Sequence, residues 1–287
     1  MLAAIRPTSW AVDLLVLAPL VFAGRMLDPP SVRLAGMTLL ALLCLGTGIS
    51  LLDAWRTKRE AVLLGTGAIF VAAGIAVAST IAHRAPPLEV DGLAAVDVLD
   101  WCLAYAVLSA LDVLLLSRVA VADVLSATAR VLLRPLAGAA ALQLAPLPGV
   151  LGLAAALGLY LVFARRRLEL AARPAPAADH VAGDTLRLFE MCTDVAAAMI
   201  VIAWVVHALS PQTVTSVGSR DLIWTVPLVL WLVWRHRGHV RRGSVPRADG
   251  KRFTSADPVA MLLADRMSMA ALLIWFAAVL QVVYRPF

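Results

Sequence analysis

Apolar residues fill the chain in long runs separated by short charged stretches. The runs lie at about 9–24, 34–55, 61–82, 93–116, 119–142, 147–164, 190–209, 221–234 and 257–284. Each approaches the roughly 20 residues that cross a hydrocarbon core as a helix, the sixth and eighth being short. Hydrocarbon offers no partner to a bare backbone N–H or C=O, so only helices or closed barrels cross it. These runs are too long and too continuous for barrel strands. The pattern predicts an all-α integral membrane protein: nine transmembrane helices forming a single membrane domain over residues 1–287.

Composition strengthens that picture. The chain is 61% hydrophobic and 15% charged, with a mean hydropathy of +0.86. A soluble domain of this length has too little interior to bury so much apolar surface. The net charge of +6 comes almost wholly from arginine, Lys58 and Lys251 being the two lysines. Because the bases lie between the runs, they read as topology signals and exclude a nucleic-acid partner. With the N-terminus inside, inner segments hold seventeen of the 25 bases and outer segments five, while Arg130, Arg134 and Arg266 fall within runs. The expected orientation is therefore a cytoplasmic N-terminus and an outside C-terminus. Residues 165–189 and 235–256 read as long inner loops, the second also offering bases to anionic lipid head groups.

Arg6, the first run and Val21-Phe22-Ala23 have the outline of a secretory signal, but Pro7, Trp10 and Asp13 sit poorly in its core, so the segment reads as a retained first span. Cys44, Cys102 and Cys192 read as small core residues without metal-ligand spacing. Gly65, Gly67 and Gly74 read as packing glycines, and His207 has no assigned role. Scarce lysine with abundant alanine and arginine points to a GC-rich genome and a bacterial inner membrane.

The orientation sorts the carboxylates by depth. Asp13, Asp53, Asp112, Asp123, Asp194 and Asp257 approach inner ends of runs, Asp265 lies two turns deeper than Asp257, and Asp97 and Asp100 belong to the outer half. Ionised groups in a bilayer seldom face lipid, so several at one depth suggest a polar chamber. Acids from three runs suit Mg²⁺, which takes oxygen ligands and substrate phosphates. The alternative is that each acid pairs with a nearby base. Arg130 and Arg134, one turn apart, need anions: either acids on neighbouring helices such as Asp112, or a ligand phosphate.

Four segments then resemble, in order, the UbiA prenyltransferase superfamily, closest to its decaprenyl-phosphate phosphoribosyltransferase branch. RPTSWAVDLLVLAPLVFAG is similar to the family opening RPxxWxKNxLVxAP. VADVLSATARVLLRPLAG resembles the fifth-helix pattern of an Asp before RxxAG, FARRRLEL the GKRRxEL segment, and DPVAMLLADR the start of the last helix. The resemblance implies a nine-helix bundle with a lateral opening for an isoprenoid chain. It also implies Mg²⁺-assisted transfer from a pyrophosphate-bearing donor to a polyprenyl phosphate at the cytoplasmic face, in cell wall biosynthesis. By the same token Asp53 and Asp123 are the expected catalytic residues, Asp53, Glu60, Asp112 and Asp123 the metal ligands, and Arg130, Arg134, Arg165 and Arg166 the substrate-binding groups.

The family's NDxxDxxxD row falls on Leu52, Asp53, Arg56 and Glu60, its KN on Val12-Asp13, and its helix-four Tyr and Lys on Asp112 and Ser117. An arginine in an acid row repels a cation and is itself suited to a diphosphate position. Three readings follow. One is a phosphoribosyl-type transferase, and a second is a catalytically degenerate homologue that binds lipid or joins an oligomer or membrane partner. The third is a prenyltransferase or terpene cyclase with another acceptor.

Overall fold

The computed structural model describes residues 7–83, 96–116, 119–172, 180–246 and 252–285. Arg6, Arg84, Ser117, Arg118, Arg173, Arg247, Lys251 and the first residues of the expected fourth run lie outside these. Apart from a two-stranded antiparallel pair (β1 Val245–Pro246 with β2 Arg252–Phe253), the described elements are helical. Six described helices are long and apolar enough to cross a membrane, and a bent pair makes a seventh. This is an all-α membrane protein.

Four of the nine expected runs fall short of a single long helix, the eighth opening as a 3-10 turn at Asp221–Thr225 and the ninth breaking at the extended Asp265. The first divides into α1 (Pro7–Asp13), a 3-10 turn (Leu14–Leu17) and α2 (Ala18–Phe22). Pro19 has no N–H to continue the ladder, and the helix restarts around it, where a missing N–H costs nothing. The fourth gives α5 (Val98–Leu114), only 17 residues long. Its start is fixed by a capping box: Asp97 accepts from the Asp100 N–H at 3.0 Å, and Asp100 accepts from the Asp97 N–H at 3.0 Å. Those two acids are used as caps.

The chain divides into two units, Met1–Ala154 and Ala155–Phe287. The first contains α1, α2, α3 (Pro29–Lys58), α4 (Ala61–Ala82), α5, α6 (Ala120–Ala141) and the first turns of α7 (Pro148–Ala171). Asp28 caps α3, accepting from the Ser31 N–H at 3.1 Å, ahead of Pro29 and Pro30, whose missing N–H groups cost nothing in a first turn. Arg59, at φ 58°, stops α3 in a left-handed cap and α4 doubles back. Small residues let the two backbones meet. A Cβ on Gly48 would lie 2.8 Å from the Gly67 carbonyl, and one on Gly74 would lie 2.9 Å from that of Ala41. Gly65 meets open space and is not a packing glycine. The tightest approach is at Gly138 of α6, where a Cβ would stand 2.0 Å from the Val16 carbonyl. The 3-10 turn thus lies directly on α6, over a core including Leu42, Leu45, Cys102, Tyr105 and Ala137.

The second unit holds the rest of α7, α8 (His180–Leu209), α9 (Pro211–Val217), a 3-10 turn (Asp221–Thr225), α10 (Val226–Arg242), α11 (Pro258–Ala264) and α12 (Arg266–Val283). α9 meets the next helical stretch at 101°, which explains the shortness of the expected eighth run. Neither expected inner loop is as long as its sequence suggests: α7 stays helical to Ala171, α8 begins at His180, and α10 continues to Arg242. The bases at 235–242 are therefore helical, and much of their charge is spent within the unit. Arg237 pairs with Asp194 and, one turn on, Arg241 pairs with Glu190, so two acids of α8 meet two bases of α10 in register. Arg167 donates to the carbonyls of Val240 at 2.5 Å and Arg241 at 2.7 Å, covering the free end of α10 before Gly243 turns the chain at φ 64°.

Candidate functional site

The expected site residues of the first unit fall into two small buried networks and a scatter of separate acids. α5 presents Tyr105, Ser109 and Asp112 on one face, and α6 presents Ser126, Arg130 and Arg134 at successive turns. Where the faces meet, Arg130 donates to Asp112 Oδ2 at 2.7 Å and the Ser126 hydroxyl donates to Oδ1 at 2.5 Å. Asp112 is 9% exposed, and both its oxygens are engaged. This is the helix-to-helix pairing that a base inside a span requires.

One turn further along α6, Arg134 is buried. Its Nε donates to Asp13 Oδ1 at 2.6 Å, Nη1 donates to the Arg130 carbonyl at 2.6 Å, and the guanidinium lies 5.2 Å from the Tyr105 ring centroid. Asp13 is 1% exposed. The broken N-terminal segment explains this placement, since Asp13 ends α1 where the 3-10 turn crosses α6. Sequence reasoning placed Asp13 near an inner end but gave it no part in the site. Its only signal was that Arg134 required an anion. Both α6 arginines among the four expected to hold substrate are thus neutralised by the protein's own carboxylates.

The acids expected to hold a metal are not brought together. Asp53 is half-buried near the end of α3 and makes no hydrogen bond or ion pair within the described residues. Glu60 is exposed at the start of α4, with no capping hydrogen bond from its side chain. Asp123 lies in the first turn of α6, a favourable end for a negative charge. Among the described residues no three His, Cys, Asp or Glu side chains converge as a metal site. Asp112 has one oxygen taken by Arg130 and the other by Ser126. Arg56, standing where the acid row expects an aspartate, donates to the Val113 carbonyl at 2.7 Å and so caps the end of α5. It acts as a structural tie between α3 and α5, and the diphosphate role expected of it is not what the geometry uses.

In the second unit, Arg165 and Arg166 lie on α7 and both reach Glu169, at 2.8 and 3.3 Å. Such exposed pairs at one-turn spacing stabilise a helix by a few tenths of a kcal/mol, roughly 0.3–0.5. A stronger cluster surrounds Asp265, 3% exposed, which caps α12. It takes a two-pronged contact from Arg235 at 2.6 and 2.9 Å, His239 Nε2 at 3.1 Å and the Ser268 hydroxyl at 2.5 Å. Next to it His236 Nε2 lies 2.9 Å from the Pro258 carbonyl and Nδ1 lies 2.7 Å from the Tyr160 hydroxyl. A carbonyl only accepts, so Nε2 carries the proton and, on the neutral ring, Tyr160 donates to Nδ1. His207, fully buried, sits against the Trp204 ring at 5.6 Å and the Thr213 hydroxyl at 3.2 Å. The three cysteines are free.

Chemically, the described networks bind charge that the chain itself supplies, and they tie α1 to α6, α5 to α6, α8 to α10 and α10 to α12. No protein-family model matches the chain, and a search of curated proteins gives no significant match.

Proposed function

We propose that the chain is a UbiA-like protein of the bacterial inner membrane that keeps the family's framework without its metal-dependent chemistry. It serves by binding a polyprenyl phosphate or other isoprenoid lipid, or by steadying a partner protein or a second copy in the membrane. The observation that carries this reading is the internal neutralisation of Arg130 by Asp112 and of Arg134 by Asp13. A transferase clamp needs those guanidiniums open to phosphate, and a Mg²⁺ site needs convergent carboxylates. Asp112 is engaged by Arg130 and Ser126, and Arg56, in the place of an acid of the row, is tied to α5.

The test is thermal unfolding of the purified chain with pyrophosphate-bearing donors, including phosphoribosyl and prenyl pyrophosphates, with and without Mg²⁺. The midpoint is expected to stay put across the panel, while a polyprenyl phosphate alone raises it if the lipid-binding role is the operative one. A rise that requires both donor and Mg²⁺ overturns the proposal.

A second reading keeps the transferase, working at the cytoplasmic face. It is favoured by Asp53, a half-buried acid near the end of α3 without a partner among the described residues. On that reading Asp53→Asn and Asp123→Asn each abolish Mg²⁺-dependent turnover. Wild-type turnover that survives both substitutions removes it. The phosphoribosyl-like segments weigh against the third alternative, a prenyltransferase or terpene cyclase with another acceptor.

A further inference from the structure

The second unit carries a cavity of about 300 Å³ that none of the networks above uses. Asp221, Trp224 and Leu228 line one side, and Ala278, Val282 and Arg285 the other. Two helix ends shape it. After the 101° bend the chain enters through Asp221, and Leu228 lies about two turns deeper. On α12, Ala278, Val282 and Arg285 are four and three residues apart, so they share one face with the arginine just beyond the helix end. Charge therefore marks the rim, and Leu228, Ala278 and Val282 lie inward of it beside the polar Thr225 and Gln281.

At that rim Arg285 Nη1 is 3.1 Å from Asp221 Oδ2, with the side chains 61% and 40% exposed. A pair so exposed contributes little to the fold. It does leave an unsaturated cation and an unsaturated anion side by side at the level where a membrane protein meets lipid head groups. Trp224, 79% exposed, stands beside them. Tryptophan favours that level of the bilayer, and its ring face attracts an ammonium group.

We propose that this cavity seats the head group of a zwitterionic phospholipid from the surrounding bilayer. The phosphate rests on Arg285, the ammonium on Asp221 and the Trp224 face, and the first acyl carbons lie along Leu228, Ala278 and Val282. A molecule carrying both charges satisfies both rim residues at once. A purely anionic head group meets Asp221 as a like charge. The volume is at the low end of small-ligand pockets, right for a head group whose chains stay in the bilayer. This site is independent of the function proposed above, which rests on the first unit.

The test uses the whole purified chain in detergent, exposed to equal amounts of phosphatidylethanolamine and phosphatidylglycerol with identical acyl chains, with retained lipid read by native mass spectrometry. Wild type is expected to keep one phosphatidylethanolamine with a preference of about fivefold, the scale of one partly exposed charge contact. Asp221→Asn should bring that preference close to parity, Arg285→Gln should lower retention of both lipids because both carry the phosphate, and Leu228→Trp, which fills the cavity, should also lower retention of both. Equal retention of the two lipids by wild type overturns the site, and so does an unchanged preference in the Asp221→Asn, Arg285→Gln double variant. If Leu228→Trp does not fold, the exposed rim variants decide the matter alone.

Discussion

Arg134→Met removes the guanidinium that holds the Asp13 carboxylate. The two side chains are 7% and 2% exposed, so water cannot replace the lost partner without opening the packing of the 3-10 turn on α6. Breaking a buried pair from one side costs roughly 3–5 kcal/mol, because a charge is left stranded. Arg134 also donates to the Arg130 carbonyl and covers the Tyr105 ring, contacts that methionine only partly restores. Asp13→Asn should cost less, about 1.5–3 kcal/mol, since Arg134 keeps those two partners. The informative comparison is with the double variant Asp13→Leu, Arg134→Met. Exchanging a whole buried pair for apolar groups of similar volume is often neutral, so it should be more stable than Arg134→Met alone. Thermal unfolding in detergent, followed by circular dichroism and by recovery of a monodisperse peak, should lower the Arg134→Met midpoint by about 6–20 °C. The double variant should regain most of that. An Arg134→Met midpoint within about 2 °C of wild type, or a double variant as unstable as the single, refutes the reasoning.

Other substitutions probe separate contacts. Gly138→Ala drives a methyl group into the Val16 carbonyl and should destabilise by about 3 kcal/mol or more, whereas Gly36→Ala, which meets open space, should be neutral or stabilise by up to about 1 kcal/mol; thermal midpoints compare the two directly. Arg237→Asp sets like charges against Asp194 and Glu190, and adding Asp194→Arg should restore the loss; no recovery in the swapped pair means that the α8–α10 register is wrong. Asp265→Ala strands Arg235 and removes the α12 cap, for an expected loss of roughly 3–5 kcal/mol by the same unfolding assay. Arg56→Gln, losing one exposed contact to the Val113 carbonyl, should cost no more than about 1 kcal/mol, and a large loss of function without a loss of stability would point back to a diphosphate-binding role.

Much of the architecture is legible in the chain because lipid imposes a one-dimensional rule: a backbone crossing hydrocarbon must be helical, and its length is read directly from apolar runs. That rule gives the all-α membrane class and the six helices long enough to cross. It is weaker where helix ends are set by side chains. The Asp97–Asp100 box shortens α5, Pro19 breaks the first run, and the extended Asp265 divides the ninth, none of which hydropathy registers. The inner loops are shorter than expected for the opposite reason, because a charged helix such as the end of α10 has a loop's composition.

The site divides in the same way. The sequence by itself determines that Arg130 and Arg134 need anions, since a bare guanidinium in a span is too costly. Which anions they find is a matter of distance between residues far apart in the chain. Asp13 lies 121 positions from Arg134, and only the break in the first helix, pressed onto Gly138, brings them to 2.6 Å. Likewise the acids at 53, 112 and 123 share a depth in the sequence pattern, yet depth is one coordinate, and a metal site needs three. Tertiary packing sends Asp112 to Arg130 and leaves Asp53 without an ion pair among the described residues, so acids legible as a metal motif end in separate places.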